Sequence, residues 1–275
     1  MKQLTFIPIG GLANRIYAIT SAIGFCMDNA IRMKVVWFKD WGMGAGFHDL
    51  FNLSPDVKYV EIKDAVWGDF YKYAKPRISN FFLPYIYQKL KFDAVYFWHN
   101  EHISVEEWYL SHENANNFYL FHCRKFYGNN GILNILSPKD SIQKKIDEQV
   151  KLLSPYTVGI HIRRTDFAEL IKHIPLSVFV EKMQEEIAIH PEVNFYVASD
   201  SSEEKEKLVR IFGDRIISVE NILRRNIKEG IVDALIELYM LAHTRKIYGS
   251  FQSTYSSLAS EIKGIPLEII KKDIK

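Results

Sequence analysis

The sequence has only two cysteines, Cys26 and Cys123, which are too few and too isolated for a disulfide framework or a metal-ligand pattern. Both are expected to be small buried residues of a protein that folds in the reducing cytoplasm. No stretch of about 18 uncharged apolar residues occurs, which excludes a conventional membrane-spanning helix. The N-terminus reaches Gly10-Gly11 too soon to contain the apolar core of a signal peptide.

An excess of one charge is also missing. The 35 basic and 33 acidic residues give a net charge of +2 and are spread evenly along the chain. Without a basic tail or a basic domain, nucleic acid is not an expected partner. The chain is 48% hydrophobic and 25% charged, which is ordinary for a globular protein and excludes disorder and fibrous repeats. Its 275 residues allow one large domain or two small ones.

The first forty residues predict a βαβ unit. Residues 4–9 form an apolar run that is typical of a buried strand, and Gly10-Gly11 ends it. Apolar residues then recur at steps of three and four over residues 12–28, which predicts a helix, and residues 33–38 predict the next strand. The two strands of such a unit are parallel, because the crossover through the helix is right-handed.

Residues 40–135 contain many turn signals and aromatics and allow no assignment. Ser137-Pro138 predicts a helix start, with Ser as N-cap and Pro as the first helical residue. The helix ends near Ser154-Pro155, where we place the boundary between domains 1–154 and 155–275. Beyond it, predicted strands alternate with helices: strands 156–162, 194–198, 215–219 and 246–249, and helices 177–189, 203–212, 231–243 and one from Ser253 onward. This alternation predicts an α/β fold with parallel sheets covered on both faces, whose two halves meet in a cleft at the open strand ends.

Polar residues follow three of the predicted strands, where ligands of open α/β sheets bind. The first set is Gly10-Gly11-Leu12-Ala13-Asn14-Arg15. Two glycines before a helix let the backbone approach a phosphate closely, and the helix N-terminus offers unpaired N–H groups. A plain tight turn is the alternative, because the pattern is neither a dinucleotide fingerprint nor a P-loop.

The second set is His161-Ile162-Arg163-Arg164-Thr165-Asp166. On a strand, His161 and Arg163 share one face and Arg164 lies on the other. Two arginines at the end of a buried strand require anionic partners, and a diphosphate suits the guanidinium fork. A structural ion pair with Asp166 or Asp233 is the alternative, and it is weaker for Arg163 than for Arg164.

The third set is residues 249–257, in which a strand and Gly249 are followed by five hydroxyl residues at a helix start. Backbone N–H and side-chain O–H donors would converge there on an anion. Ordinary N-capping is the alternative, although it needs only one Ser or Thr. Asp233 is expected in the first turn of the preceding helix, where it either binds a ligand or complements the helix dipole.

Together, His161-x-Arg163-Arg164-x-Asp166, the Gly-Gly turn, the strand end at 197–200 and Asp233…Gly249-Ser250-x-x-Ser253 resemble the GDP-fucose-dependent fucosyltransferases. This group includes the α-1,2, α-1,6 and protein O-fucosyltransferases. The resemblance covers the first 40 residues and nearly all of 156–265. It implies a GT-B architecture of two Rossmann-like, doubly wound domains, with the donor mainly on the C-terminal one. It also implies an inverting transfer from GDP-fucose that requires no metal and no other cofactor.

The resemblance also implies roles for individual residues. Arg163 would hold the β-phosphate, and His161 with Asp233 would read the guanine. The diphosphate would contact two further groups of residues: Ser250, Ser253 and Thr254 from the last helix start, and Gly10, Gly11 and Asn14 from the other domain.

A catalytic base is needed to accept the proton of the acceptor hydroxyl. Glu169 and Asp166 are the carboxylates that follow the arginine motif, and Glu169 is slightly favoured, although the loop is shorter than in α-1,6 relatives. Asp200 is either structural or a donor contact. A fixed guanidinium and helix N-termini can stabilise the departing GDP, and no tight Asp-x-Asp pair beside a strand suggests Mg²⁺.

Residues 70–98 contain eleven aromatics, with five basic residues against Asp93. Such a mixture suits the surface of an anionic bilayer, where lipid-linked acceptors are found. A helical cap of the first domain with solvated lysines is the alternative.

These patterns lead to the hypothesis of an α-1,2- or α-1,6-type fucosyltransferase of surface-glycan synthesis. Its acceptor would be an oligosaccharide or a lipid-linked glycan at the inner membrane face. One alternative is a glycosyltransferase of the same architecture that uses another nucleotide sugar. Another is a non-catalytic nucleotide- or glycan-binding protein, and a nicotinamide oxidoreductase is a distant third because the glycine fingerprint is missing.

Overall fold

The computed structural model describes residues 1–99, 102–128, 130–164, 174–219, 222 and 224–271. The chain divides into two compact units. The first comprises Met1–Lys139 and Arg225–Ile231, and the second comprises Asp140–Arg224 and Val232–Lys275. The first change of unit falls between Lys139 and Asp140. This is one helix before the boundary expected at Ser154-Pro155, because the helix that begins at Asp140 belongs to the second unit.

The first unit contains a five-stranded parallel sheet. The strands of this unit are β1 (Gln3–Pro8), β2 (Arg32–Trp37), β3 (Phe51–Leu53), β4 (Val60–Asp64), β5 (Ala94–Phe97), β6 (Asn117–His122) and β7 (Leu136–Pro138). The sheet has the order β4-β2-β1-β6-β5, while β3 and β7 form a separate antiparallel pair. The helices are α1 (Leu12–Asp28), α2 (Phe47–Leu50), α3 (Leu83–Lys91) and α4 (Val105–Ser111).

The predicted βαβ unit is confirmed, since β1 and β2 are parallel and α1 has the predicted bounds. Residues 40–135, which allowed no assignment, contribute β4, β5 and β6, the last of which pairs with β1 in the middle of the sheet. The predicted helix start at Ser137-Pro138 is wrong. Both residues belong to β7, where Pro138 pairs with Phe51, and the helix begins only at Asp140.

The second unit contains the strands β8 (Val158–Ile162), β9 (Phe195–Ser199), β10 (Ile216–Ile217), β11 (Ile247–Ser250) and β12 (Leu267–Ile270). Its helices are α5 (Asp140–Val150), α6 (Leu176–Ile189), α7 (Ser202–Phe212), α8 (Lys228–Ala242, which begins in the first unit) and α9 (Thr254–Lys263). All strand pairs of the sheet are parallel. The predicted α/β class with parallel sheets is therefore confirmed, and β12 is an additional strand.

The order of strands in the second sheet is β10-β9-β8-β11-β12. Counted in chain order within the sheet, this is 3-2-1-4-5, the order of doubly wound nucleotide-binding folds. The order reverses between β8 and β11, and ligands of such sheets bind outside the carboxyl ends of the strands at that point. The second and third predicted sets of polar residues follow these two strands.

The core of the second unit explains its sequence pattern. Every residue of β8 and β9 is buried, because helices cover both faces of a parallel sheet, so these strands appear as continuous apolar runs. Gly249 in β11 allows the last helix to approach closely, since a Cβ atom there would lie 2.6 Å from the Ser256 hydroxyl. This close contact holds the start of α9 against the end of β11.

Two expectations from composition can be compared with the structure. Cys26 and Cys123 are both buried free thiols, as expected. Within the described ranges, no helix combines the length and the apolar character that crossing a bilayer requires.

Candidate functional site

The carboxyl ends of β8 and β11 are joined by the side chain of Ser250. Its hydroxyl donates to the carbonyl of His161 at 3.0 Å and accepts the backbone N–H of Arg163, also at 3.0 Å. Ser250 is buried, so this hydroxyl bonds to the protein itself. The side chain therefore fixes the geometry of the point at which the strand order reverses. Its predicted contact with a diphosphate stays a prediction.

The ring of His161 packs against Tyr255 in the first turn of α9. Their ring centroids are 5.0 Å apart and the planes are inclined by 32°. The Tyr255 hydroxyl donates to the carbonyl of Ala234 on α8, which is the neighbour of Asp233. Tyr255 thus connects His161 to the residue that follows Asp233 on α8. No sequence signal singled out Tyr255, although it lies within the hydroxyl-rich set at 249–257.

Three of the clustered serines serve the start of α9. Ser253 is the buried N-cap, and its hydroxyl accepts the N–H of Tyr255 at 3.3 Å. The hydroxyls of Ser256 and Ser257 donate to the Ser253 carbonyl at 3.4 and 3.3 Å. The capping alternative therefore describes these contacts, and the predicted contact of this helix start with an anion stays a prediction.

A pocket of about 380 Å³ opens beside this helix start. Ser253, Thr254 and Ser257 line it together with Phe251 and Lys271. The Lys271 ammonium lies 5.7 Å from the centroid of the Phe251 ring. A helix N-terminus and an ammonium group both favour an anion. No sequence signal pointed to Lys271, because this residue follows β12, a strand that was not predicted.

The two adjacent arginines have different environments. The Arg164 guanidinium lies 3.0 Å from the carboxylate of Glu204 and donates to the Ile174 carbonyl at 3.0 Å. Its backbone N–H donates to the carboxylate of Asp200 at 2.7 Å. Arg164 therefore forms a structural ion pair, with Glu204 as a partner, and Asp200 supports the same turn. Arg163 is half-buried at the strand-order reversal.

The predicted carboxylates are only partly described. Asp233 lies in the second turn of α8 instead of the first, because the helix begins at Lys228. One of its oxygens accepts the N–H of Ile222 at 2.9 Å. Asp166 and Glu169, the candidate bases, lie outside the described residues. Among the residues that are described, no group of three or more His, Cys, Asp or Glu side chains could hold a metal ion.

In the first unit, the turn after β1 requires glycine at position 10. Gly10 has φ +89°, and a Cβ atom there would lie 2.9 Å from the side-chain nitrogen of Asn14. Gly11 is the N-cap of α1 and offers no side chain for capping. No side chain of the N-cap therefore caps the backbone N–H groups at the start of α1. The predicted phosphate contact of Gly10, Gly11 and Asn14 needs such N–H groups.

A buried arginine holds this turn in place. Arg15 is fully buried and donates to the carbonyls of Gly10 at 2.8 Å and Phe38 at 2.5 Å. It also pairs with Asp40 at 2.6 Å. Burial lowers the pKa of the Arg15 guanidinium to about 10, although Asp40 raises it, so the group remains charged at neutral pH. Arg15 belongs to the first predicted set but had no role of its own, because its partners Phe38 and Asp40 follow β2 and are distant in sequence.

His122 ends β6, the strand beside β1, and its carbonyl accepts the N–H of Ile9 at 3.0 Å. The side chain is buried, with Nδ1 3.1 Å from the backbone nitrogen of Arg124. Burial lowers the pKa of His122 to about 4, which the charge of Arg124 assists, so the ring is neutral at pH 7. No sequence signal pointed to it, since β6 had not been assigned.

Neither a protein-family model nor a curated relative matches the sequence. The fold is similar to that of NodZ α-1,6-fucosyltransferase soaked with GDP-fucose, at 16% identity over 99% of this chain and 95% of that one, with a TM-score of 0.67. It is also similar to POFUT1 in complex with GDP, at 12% identity over 98% of each chain and a TM-score of 0.59. A variant of Arabidopsis thaliana FUT1 in complex with GDP matches at 14% identity over 98% of this chain and 70% of that one, with a TM-score of 0.64. The chain therefore has the fold of the GDP-fucose-dependent fucosyltransferases, the group that its motifs resemble.

Proposed function

We propose that the protein is an inverting glycosyltransferase that transfers L-fucose from GDP-fucose to a hydroxyl of a sugar acceptor. The observation that carries the proposal is the meeting of three distant segments, 161–164, 233–234 and 250–255, where the strand order reverses. These segments contain the residues that resemble the family. Solved structures of the same fold contain GDP or GDP-fucose, which supports a guanine nucleotide as donor.

In this proposal the diphosphate binds between Arg163 and the start of α9. The guanidinium fork and the helix N–H groups are both suited to phosphate oxygens. Ser253 and Thr254 line the pocket beside this helix start, and Lys271, which also lines it, would add a second positive charge. The diphosphate is thereby compensated by two cations and a helix dipole without a metal ion.

The guanine base would be read by Asp233 and by the ring of His161. A carboxylate accepts the two hydrogen bonds that N1–H and the exocyclic amine of guanine offer. Tyr255 supports the reading by holding the imidazole through ring contact and α8 through the Ala234 carbonyl. This edge of the base distinguishes guanine from adenine and uracil.

The transfer step forms one bond and breaks one. The acceptor oxygen attacks C1 of fucose from the face opposite to GDP, and the bond between C1 and the β-phosphate oxygen breaks. The bonding electron pair goes to the diphosphate, whose developing charge Arg163 stabilises. The proton of the acceptor hydroxyl goes to a carboxylate, Glu169 before Asp166. The product is an α-linked fucoside of an oligosaccharide or a lipid-linked glycan, with an α-1,2 or α-1,6 linkage.

Titration calorimetry with GDP, UDP and ADP tests the nucleotide, and GDP is expected to bind most tightly. Incubation of GDP-fucose with a panel of oligosaccharides, analysed by mass spectrometry, tests the transfer. A preference for UDP would assign the protein to another nucleotide sugar. Binding of GDP with neither transfer to an acceptor nor hydrolysis of GDP-fucose would identify a non-catalytic binding protein.

A further inference from the structure

Residues 66–92 of the first unit, called the 66–92 segment below, invert the usual distribution of polar and apolar side chains. Polar Asp69, Asn80 and Gln88 are buried, with exposures of 4%, 8% and 1%. Ten large apolar side chains of the segment are exposed instead, while four aromatics are partly buried. The exposed ones are Val66, Trp67, Phe70, Ile78, Phe81, Phe82, Leu83, Tyr85, Ile86 and Leu90. Such a concentration of exposed apolar side chains marks an interaction site.

The buried polar side chains hold the segment in this orientation. Asp69 pairs with Lys63 at 2.8 Å, and the carbonyl oxygen of the Asn80 side chain accepts the Arg77 N–H at 2.6 Å. Gln88, on the inner face of α3, donates to two backbone carbonyls of the same segment, each at 3.2 Å. Because the polar anchors face inward, the neighbouring apolar residues of α3 face outward.

Two successive aromatics have unfavourable backbone conformations. Phe81 has φ +50° and Phe82 has φ +60°, both in the left-handed region that bulky side chains rarely adopt. Their exposures are 77% and 57%, so burial in a core does not account for the strain. Strain that the fold maintains at exposed side chains is expected where those side chains have a function.

The charge of the segment is as unusual as its burial. Exposed basic residues lie among the exposed apolar ones: Lys72, Lys75, Arg77, Lys89 and Lys91. Residues 72–92 contain no Asp or Glu, whereas the chain as a whole has 33 acidic and 35 basic residues. The positive charge is thus concentrated on the apolar surface.

We infer that the 66–92 segment docks on the surface of an anionic lipid bilayer. The aromatic and aliphatic side chains enter the boundary between headgroups and acyl chains, and the basic residues contact lipid phosphates. The nine-residue helix α3 lies in the plane of the surface, since it is too short to cross. A second copy of the chain is a poor occupant, because two such surfaces would face each other with like charges.

Sedimentation of the full chain with lipid vesicles tests the inference, and it does not depend on the donor or the acceptor. Vesicles that contain phosphatidylglycerol should retain the protein at low salt, and vesicles of phosphatidylcholine alone should retain much less. Raising the salt should weaken the binding, because the Debye length shortens. Lys89→Gln with Lys91→Gln should weaken it about 30-fold, since each charge near the surface contributes a factor of about five.

Phe81→Asn with Phe82→Asn separates binding from folding. Asn adopts the left-handed conformation more readily than Phe, so this variant should fold and its Tm should not fall. Its binding to phosphatidylglycerol vesicles should nevertheless fall at least about tenfold, because two aromatic side chains no longer enter the bilayer.

Matched controls replace exposed residues elsewhere. Leu152→Asn with Ile189→Asn removes two apolar side chains of 57% and 68% exposure, and Lys144→Gln with Lys145→Gln removes two exposed charges. Neither control should change vesicle binding. The inference is overturned by equal retention on both kinds of vesicle, by retention on neither, or by unchanged binding of the Phe81 and Phe82 variant. Self-association without lipid that this variant abolishes would assign the surface to a second copy instead.

Discussion

The two adjacent arginines should separate stability from turnover. Replacing Arg164 by Ala removes one ion pair and one charged hydrogen bond from side chains of 12% and 14% exposure. Breaking a buried pair costs about 3–5 kcal/mol when the remaining charge has no other partner. Glu204 keeps Lys207 as a second cation at 3.6 Å, so the expected loss is smaller, about 2–3 kcal/mol. For units of this size the Tm should fall by roughly 5–10 °C.

Arg163→Ala should mainly lower turnover, whereas Arg164→Ala should mainly lower stability. If this guanidinium compensates the departing diphosphate, kcat should fall by a factor of about 10² to 10³ or more. The backbone N–H that Ser250 accepts is retained, so this link between β8 and β11 should survive the substitution. Arg163→Lys should recover part of the rate, since it restores the charge without the fork.

Calorimetric melting and initial rates of GDP release with GDP-fucose measure the two effects. Arg210→Ala is the matched control, because its side chain is 76% exposed and its pair with Glu206 lies on the surface of α7. An unchanged kcat of Arg163→Ala would refute the role of this guanidinium in turnover, and an unchanged Tm of Arg164→Ala would refute the structural role of its ion pair.

Three further substitutions test the supports of the site. Arg15→Met should lower the free energy of unfolding in urea by about 3–5 kcal/mol, because it removes a buried charge with three partners, and Arg15→Lys should lose less. The pKa of His122 is about 4 in the folded protein and 6.5 in the unfolded chain. As the pH falls, the unfolded chain therefore binds a proton at a higher pH than the folded protein does. Stability should therefore decrease between pH 6.5 and 4 by up to about 3 kcal/mol, and unfolding curves of His122→Asn should show a flatter dependence. Tyr255→Phe keeps the ring against His161 and loses the bond to Ala234, so calorimetry should show GDP binding about two- to tenfold weaker, while Tyr255→Ala should weaken it further.

Much of the fold could be predicted, because the strands and helices of a parallel α/β sheet each have a recognisable local sequence pattern. Strands buried on both faces appear as short apolar runs, and the helices between them show a period of three and four residues. The strand β6 was not predicted, because its aromatics lie in a stretch, 40–135, that contains many other aromatics. Its place beside β1 results from pairing across more than a hundred residues of chain, as the register of Gln3 with Asn117 shows.

The candidate site could be predicted in outline, since its residues follow strand ends that meet at one edge of a sheet. Their partners could not, because side-chain contacts depend on how helices pack. Nothing in the sequence pairs Arg164 with Glu204 on α7, or directs the Ser250 hydroxyl to the backbone of β8. The same limit applies to Tyr255, whose contact with His161 requires α9 to lie close to β8.

In the first βαβ unit and in most of the second unit, the sequence by itself determined where strands end and helices begin, because hydrophobic periodicity and turn residues act over a few neighbours. Only the tertiary structure decided that Arg164 pairs with Glu204 on α7. Only the tertiary structure decided, too, that ten large apolar side chains of the 66–92 segment are exposed while Tyr73 and Phe92 pack against a core cluster. The residue type alone does not decide burial or pairing, because both depend on contacts between residues that are distant along the chain.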